Sequence, residues 1–259
     1  MTAIAVHSYK GGTGKTTVGV NLALSYARKG KNAVIIDGDF HAPSLNKFFP
    51  LSNSNESIKY INDYLAKNCE LSDILHPTTY ENLHVIYADP NPMFGEGVLS
   101  LDKQWHRRAL QRLMKANKKL RDDLKKEIII VDNTPGMTLF SVNSLYVADI
   151  GLLVLRPTNY GVEGTEFLIQ NLYKMLGKKK RKDYVLYNQV PHGYNSTTFE
   201  KWDQSFEKLG VSVIGKITCS CPVALCMSKG KNIFPPEDPF SQEIAELGEK
   251  LLDIPVCHK

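Results

Sequence analysis

Ser8-Tyr9-Lys10-Gly11-Gly12-Thr13-Gly14-Lys15-Thr16-Thr17 decides the fold. The apolar run Ala3-Ile4-Ala5-Val6 leads into it and Val18-Gly19-Val20-Asn21-Leu22-Ala23-Leu24 leads out, so the order reads buried strand, glycine-rich turn, helix. Gly11, Gly12 and Gly14 let the backbone turn tightly and offer successive N–H groups to a polyphosphate, where a side chain would block approach. A helix opening near Gly14 adds unpaired first-turn N–H groups and the positive end of its dipole, worth roughly 0.3–2 kcal/mol toward an anion. Lys15 is within reach of β- and γ-phosphates, and the Thr16 hydroxyl is placed to ligate Mg²⁺, with Thr13 and Thr17 completing the loop.

The pattern G-x-x-x-x-G-K-[ST] would require glycine at position 9, where this chain has Tyr9, and an extra lysine, Lys10, directly precedes the double glycine. Two further segments follow in the order expected of a nucleotide site. Asn32-Ala33-Val34-Ile35-Ile36-Asp37 reads as a central parallel strand delivering a carboxylate to its C-terminal edge, and it continues into Gly38-Asp39. Ile128-Ile129-Ile130-Val131 is a second buried strand ending in Asp132, followed by Asn133-Thr134-Pro135-Gly136.

These motifs resemble the deviant Walker A, switch I, Walker B and switch II segments of the MinD/ParA family of P-loop ATPases. The resemblance implies ATP and Mg²⁺ as ligands, hydrolysis to ADP and phosphate, and an ATP-dependent homodimer. In it Lys10 reaches the partner's nucleotide while Lys15 serves its own. Asp39 is then expected to orient the attacking water and a Mg²⁺-bound water, Asp37 to lie near the metal shell, and Asp132 to order that shell beside Thr16. Asp-x-x-Pro-Gly is expected to sense the γ-phosphate through its backbone. Asn188, at the end of Asp183-Tyr184-Val185-Leu186-Tyr187-Asn188-Gln189, is the expected base reader, since an amide pairs with both a donor and an acceptor, and Pro222 lies in the expected base-side loop. Both aspartates of switch I also fit a plain strand-end cap.

Alternation of strands and helices across all 259 residues implies an α/β fold, doubly wound, with a mainly parallel sheet and helices on both faces, residues 1–259 forming one domain. Helical patterns run over Ser52–His76, Asp102–Lys126, Gly161–Leu176, Ser196–Leu209 and Ser241–Leu252. In the third, Val162, Phe167, Leu168, Leu172 and Met175 are the expected buried set. Arg107, Arg108, Arg112, Lys115, Lys118, Lys119 and Arg121 form a basic exterior on the second, and Lys178 to Lys182 is a concentrated basic block. With a formal charge of +5, such faces are either solvated or a surface for non-specific DNA.

No run of about 18 apolar residues appears, the start enters a strand without a basic leader segment, and five cysteines form no disulfide framework. A cytoplasmic protein is expected. The last helix is acidic on its polar side through Glu243, Glu246 and Glu249, and Pro255 interrupts the tail, so no membrane anchor is expected. A protein activator or cargo adaptor is expected from the resemblance. Cys219, Cys221 and Cys226 keep a second reading open, an ATP-dependent iron–sulfur cluster carrier of the same superfamily, although their spacing departs from that group's two-residue interval.

Overall fold

The computed structural model describes residues 1–51, 58–91, 103–176, 181–193, 196–231 and 233–255. In chain order the elements are β1 (Thr2–His7), α1 (Lys15–Arg28), β2 (Ala33–Gly38), α2 (Leu45–Phe48), α3 (Ile61–Leu65), β3 (His76–Pro77), β4 (Leu83–Ile86) and α4 (Lys103–Asp122). There follow β5 (Ile128–Asn133), α5 (Leu139–Val147), β6 (Ile150–Leu155), α6 (Asn159–Leu168), α7 (Lys174–Leu176), β7 (Lys182–Val190), α8 (Ser196–Lys208), β8 (Ser212–Thr218), α9 (Cys221–Ser228) and α10 (Pro239–Leu252). The strands form one sheet in the order β3-β4-β2-β5-β1-β6-β7-β8. Among the described residues, only the short β3 runs antiparallel to its neighbour.

The central strands are buried along their whole length because helices cover both faces, and they are largely apolar up to the polar residues at their C-terminal ends. Ile4 and Val6 of β1 face a core shared with α1 and α10. Ala3 packs on the other side with Leu113 and Leu120 of α4, and Ala5 with Leu168 and Leu172. Each fully buried Leu or Ile contributes on the order of 1.5–3 kcal/mol, and two-sided burial is what continuous Ile-Ile-Ile-Val runs satisfy. Parallel pairing brings the C-terminal ends of β1, β2, β5 and β7 to one edge. Asp37 of β2 therefore stands opposite Asp132 of β5.

Several expected elements differ. The pattern over Ser52–His76 resolves into α3, a 3₁₀ turn at Leu71–Ile74 and the start of β3, with 52–57 outside the described residues. The side chains of Asp63 and Asp73 each bond back to the N-cap backbone of their own short turn, at Tyr60 and Glu70, so two capped turns replace one helix. The second helix stops at Asp122, and Leu124 is 37% exposed beyond it. Phe167 and Met175 are exposed at 46% and 80% rather than buried. Phe167 stands five residues after Val162 in the regular helix α6, off the stripe of Val162, Thr165 and Leu168, whereas Met175 lies beyond a π-helical turn at Ile169–Tyr173 that shifts the buried stripe onto Ile169, Leu172 and Tyr173.

The basic surfaces also divide. Arg112 lies over the Tyr64 ring and donates to the Cys69 carbonyl, and Lys119 pairs with Glu70, whereas Arg107, Arg108, Lys115 and Lys118 stay exposed. Within the Lys178–Lys182 block, Lys178 to Lys180 lie outside the described residues. Arg181 is buried and not part of a solvated run: Nε and Nη2 pair with Asp183 at 2.6 and 3.2 Å, and Nη1 donates to the Leu145 carbonyl.

Candidate nucleotide site

The loop between β1 and α1 crosses the C-terminal edge of the sheet. Gly14 adopts φ of 86° at the helix start, and no side chain caps the first turn. Its N–H groups are thus left for a ligand, and no acidic residue opposes an anion there. A Cβ at Gly14 would stand 2.3 Å from the Asn188 amide nitrogen, so both the conformation and the space demand glycine. Gly11 and Gly12 are exposed at the loop's outer turn, Thr13, Lys15 and Thr17 are buried, and Thr16 is half-buried.

Asn188 underlies this loop. It is buried at the end of β7, and its amide donates to the Thr13 carbonyl at 2.7 Å. Pro222, expected on the base side, is exposed in the first turn of α9, on the same sheet edge, since Cys219 N–H donates to the Val190 carbonyl.

Asp132 closes the site from below. The Thr16 hydroxyl donates to its Oδ2 at 2.6 Å, while its Oδ1 is buried without a partner. A hydroxyl whose proton points at a carboxylate keeps its lone pairs for a cation, and an orphaned buried carboxylate oxygen suits a metal's water shell. The residues present therefore fit Mg²⁺. Burial pushes the Asp132 carboxyl up to about 6, with the Thr16 bond and Lys15 pulling it down and Asp39 adding to the rise. Burial likewise lowers the Lys15 ammonium, against the attraction of Asp132 and Asp39. An added cation and polyphosphate would relieve both charges.

Asp39 is half-buried, its Oδ1 accepting the His41 and Ala42 N–H groups and standing 3.4 Å from the Thr134 hydroxyl. Asp37 has a structural task. One oxygen takes the Asp39 N–H and the other the Ser44 and Leu45 N–H groups, so it shapes the turn carrying Asp39. Burial, and then the charge of Asp132, hold its carboxyl up to about 7.

Lys10 is exposed, its Nζ 5.1 Å from the Tyr160 ring centroid and 5.9 Å from that of Tyr9. Tyr9 seats against α6 where Gly164 leaves room: a Cβ there would come within 2.0 Å of the tyrosine ring. Lys10 is thus held outward on a tyrosine platform while Lys15 turns in.

Sequence reading missed the residues that hold the 133–136 turn, the expected second switch segment. Gly136 N–H donates to the Ser8 carbonyl at 2.9 Å, and its own carbonyl lies 2.6 Å from Nε2 of His7. The available signal was a histidine ending an apolar strand directly before the phosphate loop. The cysteines gather no metal site: Cys221 is exposed, Cys219 and Cys226 are half-buried, and among the described residues no group of three or more metal-ligating side chains converges.

A glycine-rich loop between a buried strand and a helix, facing a strand-end carboxylate through Thr16, defines a P-loop nucleotide-binding protein. The family model described as an AAA domain (AAA_31) matches residues 1–184. The sporulation initiation inhibitor protein Soj of Bacillus subtilis is 29% identical over 184 residues, covering 71% of this chain and 69% of Soj. Among solved structures, septum site-determining protein MinD from Pyrococcus horikoshii in complex with Mg-ADP superposes with a TM-score of 0.72 at 22% identity, covering 97% and 96% of the two chains. A McdA–ATP complex from Cyanothece gives 0.78 at 17% identity over 100% and 99%. The chain belongs to the MinD/ParA family of P-loop ATPases.

Proposed function

We propose that the chain is an ATP-driven dimerisation switch that binds Mg·ATP, pairs face to face around two nucleotides, and hydrolyses ATP to ADP and phosphate by in-line attack of water. The observation that carries this reading is the division between two loop lysines, Lys15 buried against Asp132 and Lys10 exposed on its tyrosine platform. One cation serves the chain's own phosphates and the other is presented to a second copy. The surroundings agree, for Met137, Leu139, Tyr160 and Phe167 are each 46–75% exposed around the loop and the second switch, and apolar surface of this kind marks an interaction face.

In the proposed cycle the loop N–H groups and Lys15 bind and orient the phosphates, and Asn188 and Pro222 border the base. Thr16 and Asp132 hold Mg²⁺, which when bound neutralises charge on the β- and γ-phosphates. Asp39 positions the attacking water, and Lys10 from the partner spreads its charge over the transferring phosphoryl group. The bond to the bridging oxygen breaks as the water oxygen bonds to phosphorus, and loss of the γ-phosphate removes the reason for the dimer.

The work done by this switch is proposed to be partitioning or positioning of DNA or other cargo, with a protein activator or adaptor. The relatives are named for such processes, and α4 presents Arg107, Arg108, Lys115 and Lys118 to solvent. Light scattering with and without ATP tests the core of the proposal. Asp39→Ala should accumulate the ATP-bound dimer, and Lys10→Ala should bind ATP as a monomer. A particle mass unchanged by ATP in the wild-type chain and in Asp39→Ala would sink it. DNA retention that needs ATP, weakens with salt and is lost on neutralising the four α4 cations would support DNA as the cargo.

A further inference from the structure

A buried polar chain runs from the Gly136 turn to the π-helical turn between α6 and α7. Nε2 of His7 lies 2.6 Å from the Gly136 carbonyl, and Nδ1 lies 3.1 Å from the Tyr173 hydroxyl. Both side chains are essentially inaccessible, and the Arg181 guanidinium sits 5.0 Å from the Tyr173 ring centroid while pairing with Asp183. Burial fixes the protonation of both groups. His7 is pushed down to about 4 by desolvation, against the Gly136 carbonyl, so the ring is neutral. Tyr173 is held well above its ordinary range, so its hydroxyl keeps its proton. A neutral imidazole has one donor nitrogen and one acceptor. With a carbonyl at one end and a hydroxyl at the other, only one arrangement satisfies both ends: Tyr173 O–H donates to Nδ1, and Nε2–H donates to Gly136.

A helical irregularity accompanies this contact. Tyr173 ends the π-helical turn Ile169–Tyr173, and one residue more or less in a helix rotates its remaining turns by about 100°. A regular helix with the same start would aim position 173 elsewhere, and π-turns of this kind recur at functional sites. Gly136 meanwhile has both backbone groups tied to the strand that feeds the phosphate loop, through Ser8 and His7.

We propose that His7, with its tautomer set by Tyr173, is a positioning residue that anchors the Gly136 carbonyl, so that the second switch segment pivots on this point when its N–H exchanges the Ser8 carbonyl for a nucleotide phosphate. The inference rests on the ATPase reading for its consequence, but the anchor itself is measurable without nucleotide. Tyr173→Phe keeps the buried ring under Arg181 and deletes the donor. Amide hydrogen exchange of the nucleotide-free chain should then speed up about tenfold in the segment 134–140, the loss of about one hydrogen bond, with α1 and β1 unchanged. With Mg·ATP, kcat should fall several-fold at unaltered KM, because the phosphate cradle is untouched.

His7→Gln supplies an amide donor that needs no tyrosine, so Tyr173→Phe should add nothing in that background. Unchanged exchange in 134–140 overturns the proposal, as does a loss of protection spread evenly over the chain, which would make Tyr173 a packing residue only. An equal effect of Tyr173→Phe in the His7→Gln background overturns it too. A wild-type chain that does not hydrolyse ATP would refute the ATPase reading alone, with the exchange data still deciding the anchor.

Discussion

Asp132 combines full burial, one hydrogen bond and one orphaned oxygen, and each has a measurable consequence. Its carboxyl is raised from 3.8 to about 6, so the native chain holds this proton more tightly than the unfolded chain. Stability from this group is present below about pH 4 and is lost as pH rises through 6. Asp132→Asn avoids that loss. Relative to wild type without ligand, the variant should gain little near pH 4 and about 1–3 kcal/mol by pH 7 in urea titrations, while Mg²⁺-dependent turnover disappears. Gly164 gives a second test at this scale. Gly164→Ala would force the Tyr9 ring out of its seat, at a cost of about 1–3 kcal/mol for an overpacked contact. Calorimetric titration should find ATP affinity within about threefold of wild type, with the ATP-dependent dimer weakened at least tenfold, because the displaced platform carries Lys10 and not Lys15.

Among the elements, β7 shows how one strand combines structural and site roles. Its C-terminal end supplies Asn188 to the floor of the phosphate loop, and its first turns hold Asp183 against Arg181. Removing one partner of a buried ion pair leaves the other uncompensated. Arg181→Ala should therefore lose about 3–5 kcal/mol in denaturant unfolding, and the double change Arg181→Met with Asp183→Leu should recover most of it. The helix facing this strand was legible only in part. Apolar spacing located the segment from Gly161 to Leu176, but a π-turn breaks the 3.6-residue period ahead of Met175, which falls outside, and Phe167 falls outside already in the regular helix because it stands five residues from Val162. The turn ends at Tyr173, beside His7, a tertiary contact that no local pattern encodes.

For the whole molecule, the proposal makes stability a function of nucleotide and of protein concentration. Mg·ATP at a hundredfold excess over its Kd should add about 2.7 kcal/mol, a rise of roughly 5–10 °C in Tm for a chain of this size. Lys15→Ala should abolish the rise. Lys10→Ala should keep it while removing its dependence on protein concentration, since only association responds to that variable. A concentration-independent rise in the wild-type chain would argue for a monomeric nucleotide binder.

The sequence by itself determined the sheet, the phosphate loop and the order of the site segments. Continuous Ile and Val runs can be satisfied only by two-sided burial, and glycines before Lys15 only by a backbone that approaches a ligand. Those are local demands, written within a few residues of each other. Tertiary structure alone decided that Asp37 caps the turn carrying Asp39, that Arg181 leaves the basic block for a buried pair, and that His7 holds Gly136 from 129 positions away. The physical reason is common to all three. A side chain's partner is set by which strand ends the sheet order brings together, and parallel pairing joins residues whose separation along the chain carries no signal.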